Sequence, residues 1–183
     1  MKEEIINVLK AYSINEDIIN DFFDSQKLNL CNLENVRKKI TIYPICDLDI
    51  IGVYPKIENN ILIDYKLRLP KPNNLYNSLI YVHEIIHGLI LENNLNNYFD
   101  NNNLYEEILP MLYEDLFINY LYSQRIYNLI ALYNNYIQAR YNDINIDEKY
   151  IIARFVIDNL SYENQNDKNL KIKMIKNNIN NFI

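Results

Sequence analysis

The chain of 183 residues contains two histidines, and they stand four apart in the pentapeptide His83-Glu84-Ile85-Ile86-His87. On a helix, positions i and i+4 share one face, so two imidazoles there can each give a nitrogen to one Zn²⁺ at about 2.0–2.1 Å. Glu84 lies about 100° round the helix from His83. That places its carboxylate beside such an ion and not on it, where it can hold and deprotonate the zinc-bound water. The flanking residues Leu79, Ile80, Val82, Ile86, Leu89 and Ile90 supply the apolar face that a buried helix needs. The plainer alternative for the same string is two helical histidines next to a salt-bridging glutamate.

With no further histidine, the third ligand must be a Cys, Asp or Glu. The string Tyr105-Glu106-Glu107-Ile108-Leu109-Pro110-Met111-Leu112-Tyr113-Glu114 follows one Asn-rich loop downstream. A chain reversal through residues 92–103 would bring a second helix against the first, presenting a carboxylate to it. Glu107 is preferred over Glu106, and Glu107, Met111 and Glu114 share a face. Ile108, Leu109, Leu112 and Leu116 then pack into the core. Pro110 threatens a kink, which leaves open which of the two glutamates points inward. Acidic residues in a helix's first turn also have an ordinary electrostatic reason to be there.

The elements that must position these residues can be read from pattern. Residues 1–40 read as two or three short helices, with Ile5, Ile6, Val8 and Leu9 on one apolar face and Ile18, Ile19, Phe22 and Phe23 on another. Ser13 with Glu16 resembles a capping box, so a helix is expected to begin near residue 14. Segments 40–45, 49–54 and 61–69 are β-branched and aromatic, punctuated by Pro44, Pro55, Pro70 and Asn59-Asn60. In the last of them, Ile61, Ile63, Tyr65, Leu67 and Leu69 alternate with Asp64, Lys66 and Arg68, which predicts a half-exposed antiparallel strand. Helices are expected over 75–92, 104–122, 124–140, 147–162 and 168–181. The fold class is thus mainly α (α+β): one domain over 1–183, with N-terminal helices 1–40, a small antiparallel sheet of about three strands over 41–70, zinc-site helices 75–122 and C-terminal helices 124–183.

Composition narrows the function classes. Hydrophobic residues are 49% and charged residues 23% of the chain, which is ordinary for a globular domain. The formal charge is −6, without the electrostatic footprint of a general nucleic-acid binder. No apolar run is long enough for a transmembrane helix, and the acidic N-terminus does not resemble a signal peptide. A cytoplasmic protein with no membrane partner is expected, with Cys31 and Cys46 as reduced thiols. The lysines at 168, 171, 173 and 176 are expected to form a solvated helix face.

The strings NSLIYVHEIIHGLI (77–90) and YEEILPMLYEDLFINYL (105–121) resemble the zinc helix and the glutamate helix of the oligoendopeptidase F-like metallopeptidases, which are gluzincins. In that family a ligand glutamate is followed seven residues later by another, positions that Glu107 and Glu114 match. The strand 61–67 takes the place of the family's edge strand, and 141–160 is similar to its Tyr-rich late segment. The resemblance covers residues 45–160. Ile86 stands where the family has a glycine, a late histidine of the family has no counterpart, and the chain is much shorter than full-length members. The resemblance implies a zincin-like helical domain, reduced to a catalytic core.

The expected activity is a zinc metallopeptidase, with His83, His87 and Glu107 holding Zn²⁺ and Glu84 as general base. A phenol would donate to the developing oxyanion, and Tyr150 and Tyr141 are the candidates. Glu114 would orient a ligating histidine or restrain its own helix. The substrate would be a peptide or extended protein segment, pairing with strand 61–67 by β-addition. The alternatives are a catalytically degenerate zinc-binding interaction domain, against which the presence of Glu84 argues, and a helical interaction protein without metal.

Overall fold

The computed structural model describes residues 2–26, 30–44, 47, 49–59, 61–93, 107–127, 129–141 and 146–163. They form seven helices and three strands: α1 (Lys2–Lys10), α2 (Glu16–Ser25), α3 (Leu30–Lys38), β1 (Ile40–Tyr43), β2 (Gly52–Glu58), β3 (Ile61–Pro70), α4 (Leu75–Asn93), α5 (Ile108–Ser123), α6 (Ile130–Tyr141) and α7 (Glu148–Glu163). The mainly helical architecture with a small sheet ahead of the histidine helix is as expected. The helix expected over 168–181, with its lysines, lies outside the described residues, as does Cys46. No helix among the described residues is long and apolar enough to cross a membrane.

Two details of the sheet differ from expectation. Its order is β1-β3-β2, with β2 antiparallel and β1 parallel to β3, so the sheet is mixed and not antiparallel. β2 and β3 form a hairpin whose turn holds Asn59 at φ 53°, a left-handed conformation that Asn tolerates. β1 joins the other side of β3, and its connection to β2 crosses over instead of folding back on itself. Strand 61–67 is therefore an edge only in part, because β3 is the central strand of the sheet. β2 pairs along Ile61–Arg68 and β1 along Leu67–Pro70. Only the β1 side of residues 61–66 has no strand partner among the described residues, and there Asp64 Oδ1 accepts the Tyr65 N–H at 2.8 Å.

The alternation of β3 also breaks. Tyr65, Leu67 and Leu69 are buried as predicted, but Ile63 is exposed and Leu62 is buried. The register steps from Lys56↔Asp64 to Ile57↔Leu62, so Ile63 is an extra residue in a β-bulge, and the inward face switches parity there.

α4 is tied to the sheet at both ends. At its start, Asn74 Oδ1 caps the helix by accepting the Asn77 N–H at 3.0 Å, and Asn77 Nδ2 donates to the carbonyl of Lys71, the residue after β3, at 2.9 Å. At its end, the Tyr65 hydroxyl donates to Glu92 Oε1 at 2.8 Å, and Lys39 bridges Glu92 and Asp64. Between them α4 packs so closely on β3 and α3 that a Cβ at Gly88 would fall 2.8 Å from Val36 Cγ1 and 2.9 Å from Leu67 Cδ1. The first cap in the chain differs from expectation. Asn15, not Ser13, caps α2 by accepting the Asp17 N–H, and Ser13 instead bridges to Asn74.

α5 lies against the opposite side of α4, and α7 against α5. The main core joins α1–α6 and the sheet through Leu9, Phe22, Phe23, Leu67, Leu79, Val82, Phe117 and Leu121. A second, smaller cluster of Ile108, Met111 and Leu112 with Ala153 and Ile157 seats the first half of α7 on the start of α5.

Candidate metal centre

The 19-residue α4 is apolar nearly all round, which is the pattern of a helix enclosed by others. His83 and His87 are nonetheless within it and buried, 5% and 7% exposed. They face α5, where Glu107 is 2% exposed. Buried polar side chains on an apolar helix cost stability unless they are partnered, and these partner one another.

The three potential ligand atoms form a compact triangle. His83 Nε2 lies 3.1 Å from His87 Nε2 and 2.9 Å from Glu107 Oε2, and His87 Nε2 lies 3.5 Å from the same oxygen. Ligands about 2.0–2.1 Å from a tetrahedral ion are separated by about 3.3 Å, so the triangle has the dimensions of three corners of such a site. Glu107 Oε2 is buried and, despite its approach to His83, makes no hydrogen bond of acceptable alignment. An orphaned buried carboxylate oxygen between two imidazole nitrogens is what a cation would satisfy. The residues present fit a metal ion.

Glu107 occupies the N-cap position of α5. Pro110 therefore sits in the first turn, where its missing N–H would have no intrahelical acceptor. The kink that Pro110 threatened does not arise, and Glu107 is the inward-facing glutamate. Glu106 lies outside the described residues.

His83 and Glu107 each have a partner behind them. His83 Nδ1 is 2.6 Å from Glu114 Oε1, two helical turns after Glu107. Glu114 is itself buried and has Tyr133 (3.4 Å) and Arg140 (3.8 Å) nearby. Tyr133 also donates to Asp115 at 2.8 Å, and Arg154 binds both oxygens of Asp115 at 2.9 Å while pairing with Asp158. Lys149 Nζ meets the other oxygen of Glu107, Oε1, at 2.8 Å. Burial alone would lower the His83 pKa, but the Glu107 and Glu114 carboxylates outweigh it and push it up to about 10. Burial likewise opposes charge on Glu107, yet His83 and His87 hold its carboxyl below the usual range.

Glu84 is partly exposed, one position round from His83, and its charge acts on both His83 and Tyr150. Tyr150 reaches the site from α7, its ring centroid 6.4 Å from that of His83. The Arg140 guanidinium lies over the Tyr150 ring at 4.4 Å and the Lys149 ammonium at 5.3 Å. Burial, with the Glu107 charge, pushes the Tyr150 phenol up to about 12, so it stays a neutral donor. Tyr141 ends α6, and its side chain lies outside the described residues.

The structure thus brings together His83, His87, Glu107, Glu114, Glu84 and Tyr150. Lys149, Arg140, Tyr133 and Asp115 were not anticipated from sequence. Only Asp115 carried a signal: it extends Glu114 to an acidic pair within a helix otherwise almost wholly apolar. No protein-family model, curated protein or solved structure matches this chain.

Proposed function

We propose that this protein is a zinc-dependent metallopeptidase of the gluzincin type. The observation that carries it is the ligand triangle of His83, His87 and Glu107, with Glu84 outside it on the same helix and its charge acting on His83. A site that only held metal would need the ligands alone, whereas a free carboxylate beside an open coordination position is what hydrolysis needs. Bound zinc would supply a Lewis acid for the scissile carbonyl and a water acidified to a pKa of about 7.

Glu84 accepts the proton of the attacking water and delivers it to the leaving amine. Tyr150, neutral and partly buried beside His83, donates its hydroxyl to the oxyanion that develops on the carbonyl. Glu114 fixes the ring of His83 so that Nε2 points into the triangle. The substrate is a peptide or extended segment. Strand addition to it is confined to the β1 side of residues 61–66, and Asp64 already takes one donor there.

Elemental analysis and cleavage of a mixed peptide library test this on untagged protein. One zinc per chain, lost in His87→Ala, is expected, with cleavage lost in Glu84→Gln while the zinc is retained. Zinc without cleavage by the wild type would leave a zinc-binding interaction domain. Failure to take up zinc on titration would remove both readings.

A further inference from the structure

Glu107 has two oxygens, and the structure assigns them different partners: Oε2 faces the two imidazoles, while Oε1 receives the Lys149 ammonium at 2.8 Å. We propose that Lys149 is a positioning residue that confines Glu107 to single-oxygen ligation and so keeps the metal four-coordinate with one position open. This rests on the metal site proposed above.

A carboxylate can hold zinc through one oxygen or both. Two-oxygen ligation would fill a fourth position with protein and leave less room for water and substrate. The Lys149 ammonium on Oε1 competes with the metal for that oxygen. It also draws electron density from the carboxylate, which makes Glu107 a weaker donor and the metal a stronger Lewis acid.

The fold maintains this contact on purpose-built packing. Ala153 and Ile157, one and two turns beyond Lys149, are buried against Ile108, Met111 and Leu112, the residues that follow Glu107. The starts of α5 and α7 are thereby clamped together. A cation in the first turn of a helix is disfavoured by the helix dipole, so intrahelical energetics do not account for a lysine at this position. Its carboxylate partner is 2% exposed and belongs to the ligand set.

The test is a Co²⁺ titration of the full chain as wild type, Lys149→Met and Lys149→Arg, read by visible absorption, with zinc affinity by chelator competition alongside. Four-coordinate Co²⁺ absorbs far more strongly than five-coordinate. The wild type should give the intense spectrum. Lys149→Met should give the weak one and bind zinc about tenfold more tightly, because the site loses a positive charge and gains a second Glu107 bond, and its acid limb of kcat/KM should move to higher pH. Lys149→Arg should restore spectrum and affinity. Lys149→Gln replaces the Met variant if that fails to fold. A Met or Gln variant with wild-type spectrum and affinity would overturn the role of Lys149 and leave the metal site standing. A wild type that takes up no Co²⁺ and no Zn²⁺ would overturn both.

Discussion

His83 and Glu114 meet at 2.6 Å through Nδ1 and Oε1, on the side of the imidazole away from the ligand triangle. One helix thus acts on one ring twice: Glu107 faces Nε2, and Glu114, two turns later, holds Nδ1. A ring held at Nδ1 cannot flip, so the direction in which its Nε2 points is set before any ion arrives. Glu114 is held in turn by its neighbours. Tyr133 approaches its second oxygen, and Asp115, next in sequence, is anchored by Arg154.

Replacing Glu114 by Gln keeps the shape of the side chain and removes its charge. His83 would keep a hydrogen-bond acceptor but lose the carboxylate that raises its basicity. Zinc affinity should fall about 10- to 100-fold, measured by competition with a chromophoric chelator. Unchanged affinity would show that Glu107 alone orients the ring.

The same pair predicts a pH effect. With its pKa pushed up to about 10, His83 is protonated at pH 8 in the metal-free protein. Zinc takes the Nε2 lone pair and must expel that proton, so with the proton lost by a bound water of pKa about 7, nearly two protons should be released per zinc at pH 8. Between pH 7 and 9 the apparent affinity should rise more than about tenfold per pH unit, because the unliganded state binds the extra protons. Calorimetry in buffers of different ionisation enthalpy measures the release. A value of about one or less at pH 8 would mean that the carboxylates do not hold His83 charged.

The parts of this site legible in the sequence were those set by local periodicity. Spacing of four placed His83 and His87 on one face, and the chain reversal expected through 92–103 put Glu107 opposite them. What the sequence did not disclose depended on which elements meet. Lys149 arrives with α7, whose seat on α5 is set by the small Ile108–Ile157 cluster and not by any pattern near residue 149. Parallel pairing of β1 with β3 is a choice between two edges that strand composition does not encode. Parity along β3 failed at Ile63 because a bulge is a property of a pair of strands. Ser13 was a plausible cap, but Asn15 stood closer to the helix and took the role.

Gly88 follows His87 directly and marks the closest approach of α4 to its neighbours. A methyl group there meets Val36 and Leu67, both completely buried. Such overpacking costs about 1–3 kcal/mol, partly offset by about 1 kcal/mol of better helix propensity. Gly88→Ala should therefore lower stability by about 1 kcal/mol, a drop of about 2–4 °C in Tm for a domain of this size. Val36→Ala should relieve it, making the double variant less destabilised than the sum of the two singles. A Tm equal to or above that of the wild type in Gly88→Ala would show that α4 can shift away from α3 without loss.

Tyr150 provides the sharpest check on catalysis as distinct from metal binding. Its ring is held between His83 and the Arg140 guanidinium, and it is not among the triangle of potential ligands. Burial keeps its proton on at any working pH, so it can donate to an oxyanion and has no capacity to act as a base. Phe at this position keeps the ring, its packing and its contact with Arg140, and removes only the donor. A donor that acts when charge develops on the carbonyl contributes to the transition state and little to the ground state. Tyr150→Phe should then lower kcat by about 10²- to 10³-fold, with KM, zinc content and Tm close to wild type. A rise in KM alone would place the hydroxyl on bound substrate, and wild-type kinetics would reduce Tyr150 to a packing residue beside His83.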